Sequence, residues 1–183
     1  PAKIKFLNTW NKAFTAPYCD DDIETLKKLS KTIDKLWKDQ ISLRQQLKQQ
    51  THDSLSVFKF NDDEPDSHTS IRTKDQMLRT MYRSENAKNA GAYARLKFAM
   101  DYWCALWFWP IDKADLLPSR SEFLNDMYMI LVGLYSTNSD SQQLSMLEDA
   151  DEEDTDILLQ VNLDELCALL PRLKLARTIA QQN

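Results

Sequence analysis

The sequence predicts an all-α protein: an irregular helical bundle with a long heptad-patterned helix and a central aromatic-rich helix. Three observations carry this. Leu26, Leu29, Ile33, Leu36, Leu43 and Leu47 recur at spacings of 3, 4, 3, 7 and 4, a helical seam in which Gln40 takes one core position. Residues 92–109 are apolar on nearly every side, and a helix of that kind belongs in the middle of a bundle. Ser119 and Glu122 have the S-x-x-E spacing of a capping box, which starts a further helix. A chain of 183 residues suits one domain of ordinary size, and 43% hydrophobic residues with 10% aromatics suffice for a core.

Taken in order, residues 3–14 form a short helix with Ile4, Phe6, Leu7, Trp10 and Phe14 inward, ended by Pro17. Asp20, Asp21 and Asp22 then offer N-cap oxygens and favourable charge to a helix over residues 23–50. Lys27, Lys28, Lys31, Lys35 and Lys38 surround its seam, as on the solvated face of a hairpin or bundle arm. A dimerising coiled coil is the alternative, although about three heptads make a short seam. The pattern breaks over residues 51–70, where Leu55, Val57, Phe58 and Phe60 suggest a small strand or hook and residues 61–70 an exposed loop with four acids. Helical character returns over 72–83, pauses over 85–91 and resumes over 92–109 until Pro110 stops it. The helix opened by Ser119 runs to about Tyr135, burying Met127, Tyr128, Ile130, Leu131 and Leu134. Residues 148–156 hold seven carboxylates in nine positions, too much like charge for a folded element. Asn162 or Asp164 caps a last helix with Leu166, Leu169, Leu170, Leu173 and Ile179 inward, which Pro171 kinks or restarts. The expected organisation is therefore a helical bundle over 1–147, an acidic linker over 148–161, and a C-terminal helix over 162–183 packing on the same bundle.

Composition excludes several chemistries. Gly91 and Gly133 are the only glycines, where average usage of roughly 7% predicts about a dozen. A P-loop, a G-x-G-x-x-G turn and a G-x-S-x-G elbow are all absent. Cys19, Cys104 and Cys167 are odd in number and far apart, which implies no disulfide framework and favours a reducing, cytoplasmic setting. The longest apolar run, residues 98–111, has 14 residues and contains Asp101, short of the roughly 20 that a membrane span needs. No signal peptide is visible where Lys3, Lys5 and Lys12 interrupt the start, and Pro1 in place of Met fits a processed terminus or a piece of a longer protein. No metal is expected: His52 and His68 lie sixteen residues apart with no short-spaced ligand pair.

Within the aromatic helix, Trp103 and Trp107 stand one turn apart and are expected in the core, with Cys104 buried and inert beside them. Asp101 is the lone charge there; it pairs with Lys97 or Arg95, caps a neighbouring element, or meets a partner. The whole chain carries a net charge of −5, yet residues 72–97 carry seven basic residues, Arg72, Lys74, Arg79, Arg83, Lys88, Arg95 and Lys97, against Asp75 and Glu85. Residues 23–50 carry seven against three acids. An acidic protein can still meet phosphate through a local basic face, and Asn86, Asn89, Gly91 and Tyr93 add hydrogen-bonding and stacking groups. Arg72 to Lys97 are therefore the candidate contacts to a DNA backbone.

The run NAGAYARLKFAMDYWCALWFWPIDKADLLPSRSEFL, residues 89–124, resembles a helical segment of very large adenine-specific DNA methyltransferases of bacterial restriction–modification and phage-defence systems. The matching residues are Tyr93, Arg95, Lys97, Asp101, Trp103, Cys104, Ala105, Leu106, Trp107 and Phe108, followed by Pro118, Ser119 and Arg120. Upstream, Arg72, Lys74, Met77, Tyr82 and Arg83 fit the same block, and the resemblance spans about residues 37–131. It implies a parent protein that uses S-adenosylmethionine, with this chain as a non-catalytic spacer between catalytic and target-recognition domains, near duplex DNA. The family's D/N-P-P-Y/F tetrapeptide and glycine-rich cofactor loop do not occur here, so no cofactor is expected on the chain itself. The reading from another class is a free-standing helical protein–protein interaction module whose heptad arm binds a partner helix.

Overall fold

The computed structural model describes residues 2–53, 69–133 and 162–182, and among these the chain is all-α. Helix α1 is Ala2–Phe14 and α2 is Asp20–Thr51. At 1.5 Å per residue, the 32 residues of α2 make a rod about 48 Å long. Its N-cap is Cys19 and not one of the three aspartates. Asp22 NH donates to Cys19 Sγ at 3.4 Å, and Cys19 NH donates to Asp22 Oδ2 at 3.5 Å. The aspartates occupy the first turn, where their charge suits the helix dipole. Along the seam Leu29, Gln40 and Leu47 are buried, while Ile33 and Leu43 remain 38% and 39% exposed.

Helix α3, Ile71–Arg83, starts on Ser70, whose Oγ accepts from Thr73 NH at 3.2 Å. A short helix α4, Glu85–Asn89, occupies the stretch where the sequence suggested a pause. Gly91 then caps α5, Ala92–Ala105. A Cβ at Gly91 would lie 2.7 Å from the Ala87 carbonyl oxygen, so glycine lets α4 turn tightly into α5. Two 3₁₀ turns, Leu106–Phe108 and Ile111–Leu116, lead to α6, Arg120–Leu131. The expected capping box is present: Ser119 Oγ accepts from Glu122 NH at 3.3 Å, and Glu122 Oε2 accepts from Ser119 NH at 2.8 Å. That helix ends at Leu131, earlier than expected, with Gly133 at φ 130° just beyond. Helix α7, Leu163–Leu169, is capped by Asn162, and Pro171 opens α8, Pro171–Gln182. The expected strand or hook, most of the acidic loop and the acidic linker lie outside the described residues.

The core lies where α5 meets α2, α6 and α8. Phe98, Ala99, Tyr102 and Ala105 give α5 one buried stripe, packed with Phe123, Ile130 and Leu131 of α6 and Leu173, Ala176 and Ile179 of α8. The expectation of a helix buried all round is therefore corrected. Its regular part ends at Ala105, and Met100, Trp107 and Phe108 are 63%, 75% and 63% exposed. Trp107 stands outside the core, and Trp103, 38% exposed, lies at its edge against Phe123 with ring centroids 5.6 Å apart. Cys104, expected to be buried, is exposed. The reason is the helical period: residues 98, 102 and 105 share one face, which sends 100, 104 and 107 to the other.

Candidate nucleic-acid interface and interhelical groove

Three of the seven candidate phosphate contacts share one surface. Arg72, Arg79 and Arg83 are related by i, i+7 and i+11 along α3, so at 3.6 residues per turn they fall within an arc of about 40°. All three are exposed, and Gln76 lies at i+4 on the same side. None has an ion-pair partner among the described residues. Over eleven residues the stripe is about 16 Å long.

The other four candidates are placed elsewhere. Lys74 pairs with Asp53, whose Oδ1 also accepts from Thr69 NH at 3.1 Å, pinning the start of α3 to the end of α2. Lys97 pairs with Asp101 one turn on, which settles the partner of that lone acid. Arg95 is half-buried; its Nη1 donates to the Leu131 carbonyl over 3.5 Å, and its Nε is buried with no acceptor. Burial pulls the Arg95 guanidinium below its ordinary pKa. Lys88 is exposed on α4.

Between α2, α3 and α5 runs a groove of about 1290 Å³, reached also by the end of α8. Leu36, Leu43 and Leu47 line it from α2, Met77 and Met81 from α3, and Phe98 from α5. Gln40, Gln76 and Arg95 are among its polar groups. The α3 arginines do not line it; Met77 and Met81 do so from the neighbouring face of that helix, with Gln76 between the two.

Several residues of the family-like run act as fasteners. The Pro118 carbonyl accepts from Trp10 Nε1 at 2.6 Å. Arg120 reaches the open end of α1: its Nη2 donates to the Phe14 carbonyl at 2.7 Å, its Nη1 to Pro17 at 2.9 Å, and Nη2 also to Ala16. It stacks over Tyr18 at 4.6 Å and faces Asp22 at 3.6 Å. A helix end exposes four carbonyls without partners, and Arg120 answers two of them, Ala13 and Phe14, together with the Ala16 and Pro17 carbonyls of the segment that follows.

Sequence reasoning gave no role to Asp126, which is wholly buried. Tyr102 Oη donates to its Oδ2 at 2.7 Å, while Arg172 grips both oxygens, Nε to Oδ2 at 2.6 Å and Nη2 to Oδ1 at 2.8 Å. Its sequence signal is an acid at a position where the helical period demands an apolar residue.

Among the described residues no cluster of three or more His, Cys, Asp or Glu side chains could hold a metal ion. No helix among them is long and apolar enough to cross a membrane. Comparison with protein-family models, with curated proteins and with solved structures finds no match.

Proposed function

We propose that this chain is a non-catalytic helical spacer and scaffold of a restriction–modification type adenine-specific DNA methyltransferase, touching the DNA backbone through α3. The parentage rests on the resemblance of residues 89–124. The phosphate contact rests on one observation, the exposed stripe of Arg72, Arg79 and Arg83, unpaired among the described residues. Guanidinium groups on a rigid helix suit phosphate oxygens, and such contacts position a duplex without reading its sequence. Lys74 and Lys97 are already engaged with carboxylates, so the surface narrows to the α3 stripe.

Replacing Arg72, Arg79 and Arg83 together by Gln tests the contact on the full chain. Each neutralised phosphate contributes about −0.9 to the slope of log affinity against log salt on duplex DNA. The triple variant is expected to flatten that slope by roughly 2 to 3 and to weaken unrelated sequences equally. An unchanged slope would remove the phosphate role and leave the scaffold. Flanking reading frame tests the parentage: glycine-rich cofactor and D/N-P-P-Y/F motifs in the same frame support it.

The interaction-module reading keeps one observation in its favour, the uncovered apolar surface at Met100 of α5 and Trp107 of the turn after it. A partner-binding module would show no salt-dependent affinity for DNA.

A further inference from the structure

We propose that the groove between α2, α3 and α5 receives one amphipathic α-helix of a protein partner, apolar toward Met77 and Met81 and carrying a carboxylate that pairs with Arg95. The proposal is independent of the phosphate contact, because the α3 arginines do not line this groove.

Shape is the first argument. From Leu36 to Leu47 the α2 wall runs eleven residues, about 16 Å, which matches three turns of a docked helix. The volume of about 1290 Å³ exceeds the 300–1,000 Å³ usual for small-molecule sites. Helix-in-groove recognition uses such an apolar trough, filled from apolar residues at i, i+3, i+4 and i+7 of the guest. Methionine is unbranched and polarizable, so the Met77 and Met81 wall can adapt to the guest's side chains.

Charge selects the occupant. Four cations line the groove, Lys88, Arg95, Lys97 and Arg177: Lys97 is paired with Asp101, Arg177 with Asp164 and Lys88 is exposed on α4, whereas the half-buried Arg95 has no carboxylate among the described residues. Its Nε is buried without an acceptor and its Nη1 bond is long at 3.5 Å. A buried donor left unpaired is costly, and a carboxylate supplied by the guest would give the Arg95 guanidinium the charge-assisted partner it lacks among the described residues. Nucleic acid fits less well. None of the three exposed α3 arginines lines the groove, and Leu36, Leu43, Leu47, Met77 and Met81 make its facing α2 and α3 walls largely aliphatic and thioether.

A display library of helical peptides tests this on the full chain, with depletion on a Met77→Glu/Met81→Glu variant. The enriched peptides are expected to be apolar at i, i+3 or i+4, and i+7, with one Asp or Glu at a fixed place. Arg95→Gln should weaken a selected peptide at least tenfold. Changing the peptide's acid to its amide should cost the same, with no further loss when both changes are combined. Should the double glutamate variant lose its cooperative melt, Thr80→Arg on the exposed lip takes its place. The proposal is overturned if no sequence is enriched over the depleted background, or if Arg95→Gln leaves the selected peptides unaffected. Displacement of the peptide by a single-stranded oligonucleotide that itself binds the groove would reassign the site to nucleic acid and also overturn it.

Discussion

A carboxylate with no exposure survives in the core because three donors converge on it. Asp126 accepts from Tyr102 and from two nitrogens of Arg172, so its charge is both paired and hydrogen-bonded. The same contacts drive both partners' pKa values upward: the Tyr102 hydroxyl through burial and the neighbouring charge, the Arg172 guanidinium through its hydrogen bonds to Asp126. Breaking one side of such a pair strands the other charge, so Arg172→Met is expected to cost about 3–5 kcal/mol. Asp126→Leu combined with Arg172→Met should recover most of that loss in urea melts. A single variant as mild as the double one would show that the pair is not a unit. Glu122 makes a pH prediction. Ser119 donates to it from its backbone and its hydroxyl, and Arg172 adds a nearby positive charge, so its carboxyl sits below the usual range. A depressed folded pKa stabilises fully above the unfolded value of about 4.3, and that contribution is lost as pH falls through the folded one. Glu122→Gln should therefore flatten the dependence of stability on pH between about pH 5 and pH 3.

The helices themselves show what periodicity can and cannot reveal. The long α2, the Ser119 cap, a cap at Asn162 or Asp164 and a kink or restart at Pro171 were legible, because each is a short-range signal read within one or two turns. For α5 the same reading overreached. A run that is apolar all round says how much surface a helix offers, but only neighbouring helices decide which side is covered. Here the covered side is Phe98, Ala99, Tyr102 and Ala105, and Trp107 is left 75% exposed. Trp107→Ala is accordingly expected to change stability by less than about 0.5 kcal/mol, whereas Phe123→Ala, buried against Tyr102 with centroids 5.2 Å apart, should cost about 3–5 kcal/mol. Equal losses in thermal melts would restore Trp107 to the core. In α3 the arginine stripe was present in the sequence as charge, but its division from Lys74, Arg95 and Lys97 required knowing which carboxylates and carbonyls lay across the gap.

At the scale of the whole molecule, stability depends on segments that are remote in sequence. Arg120 closes the end of α1 more than a hundred residues earlier, with Phe14 at a separation of 106, and Asp126 is held from 46 residues later by Arg172. Such pairings leave no local trace, because a cap supplied from another helix has no fixed spacing; this is why the fastening roles of Pro118, Arg120 and Asp126 stayed dark in the sequence. The described C-terminal helices are the strongest case. Leu166, Leu173 and Ala176 have no exposure, and they pack in the same cluster as Tyr102, Ile130 and Leu131. Removing residues 162–183 would open that cluster and withdraw Arg172 from a wholly buried Asp126. Large buried apolar groups are each worth several kcal/mol and the stranded charge about 3–5 more, while a domain of this size holds about 5–15 in all. The truncated chain is therefore expected to lose its cooperative thermal transition, and a peptide of residues 162–183 added in trans should restore it in a concentration-dependent way. A chain ending at residue 161 that still melted cooperatively near the full-length temperature would show that α7 and α8 cover the core without completing it.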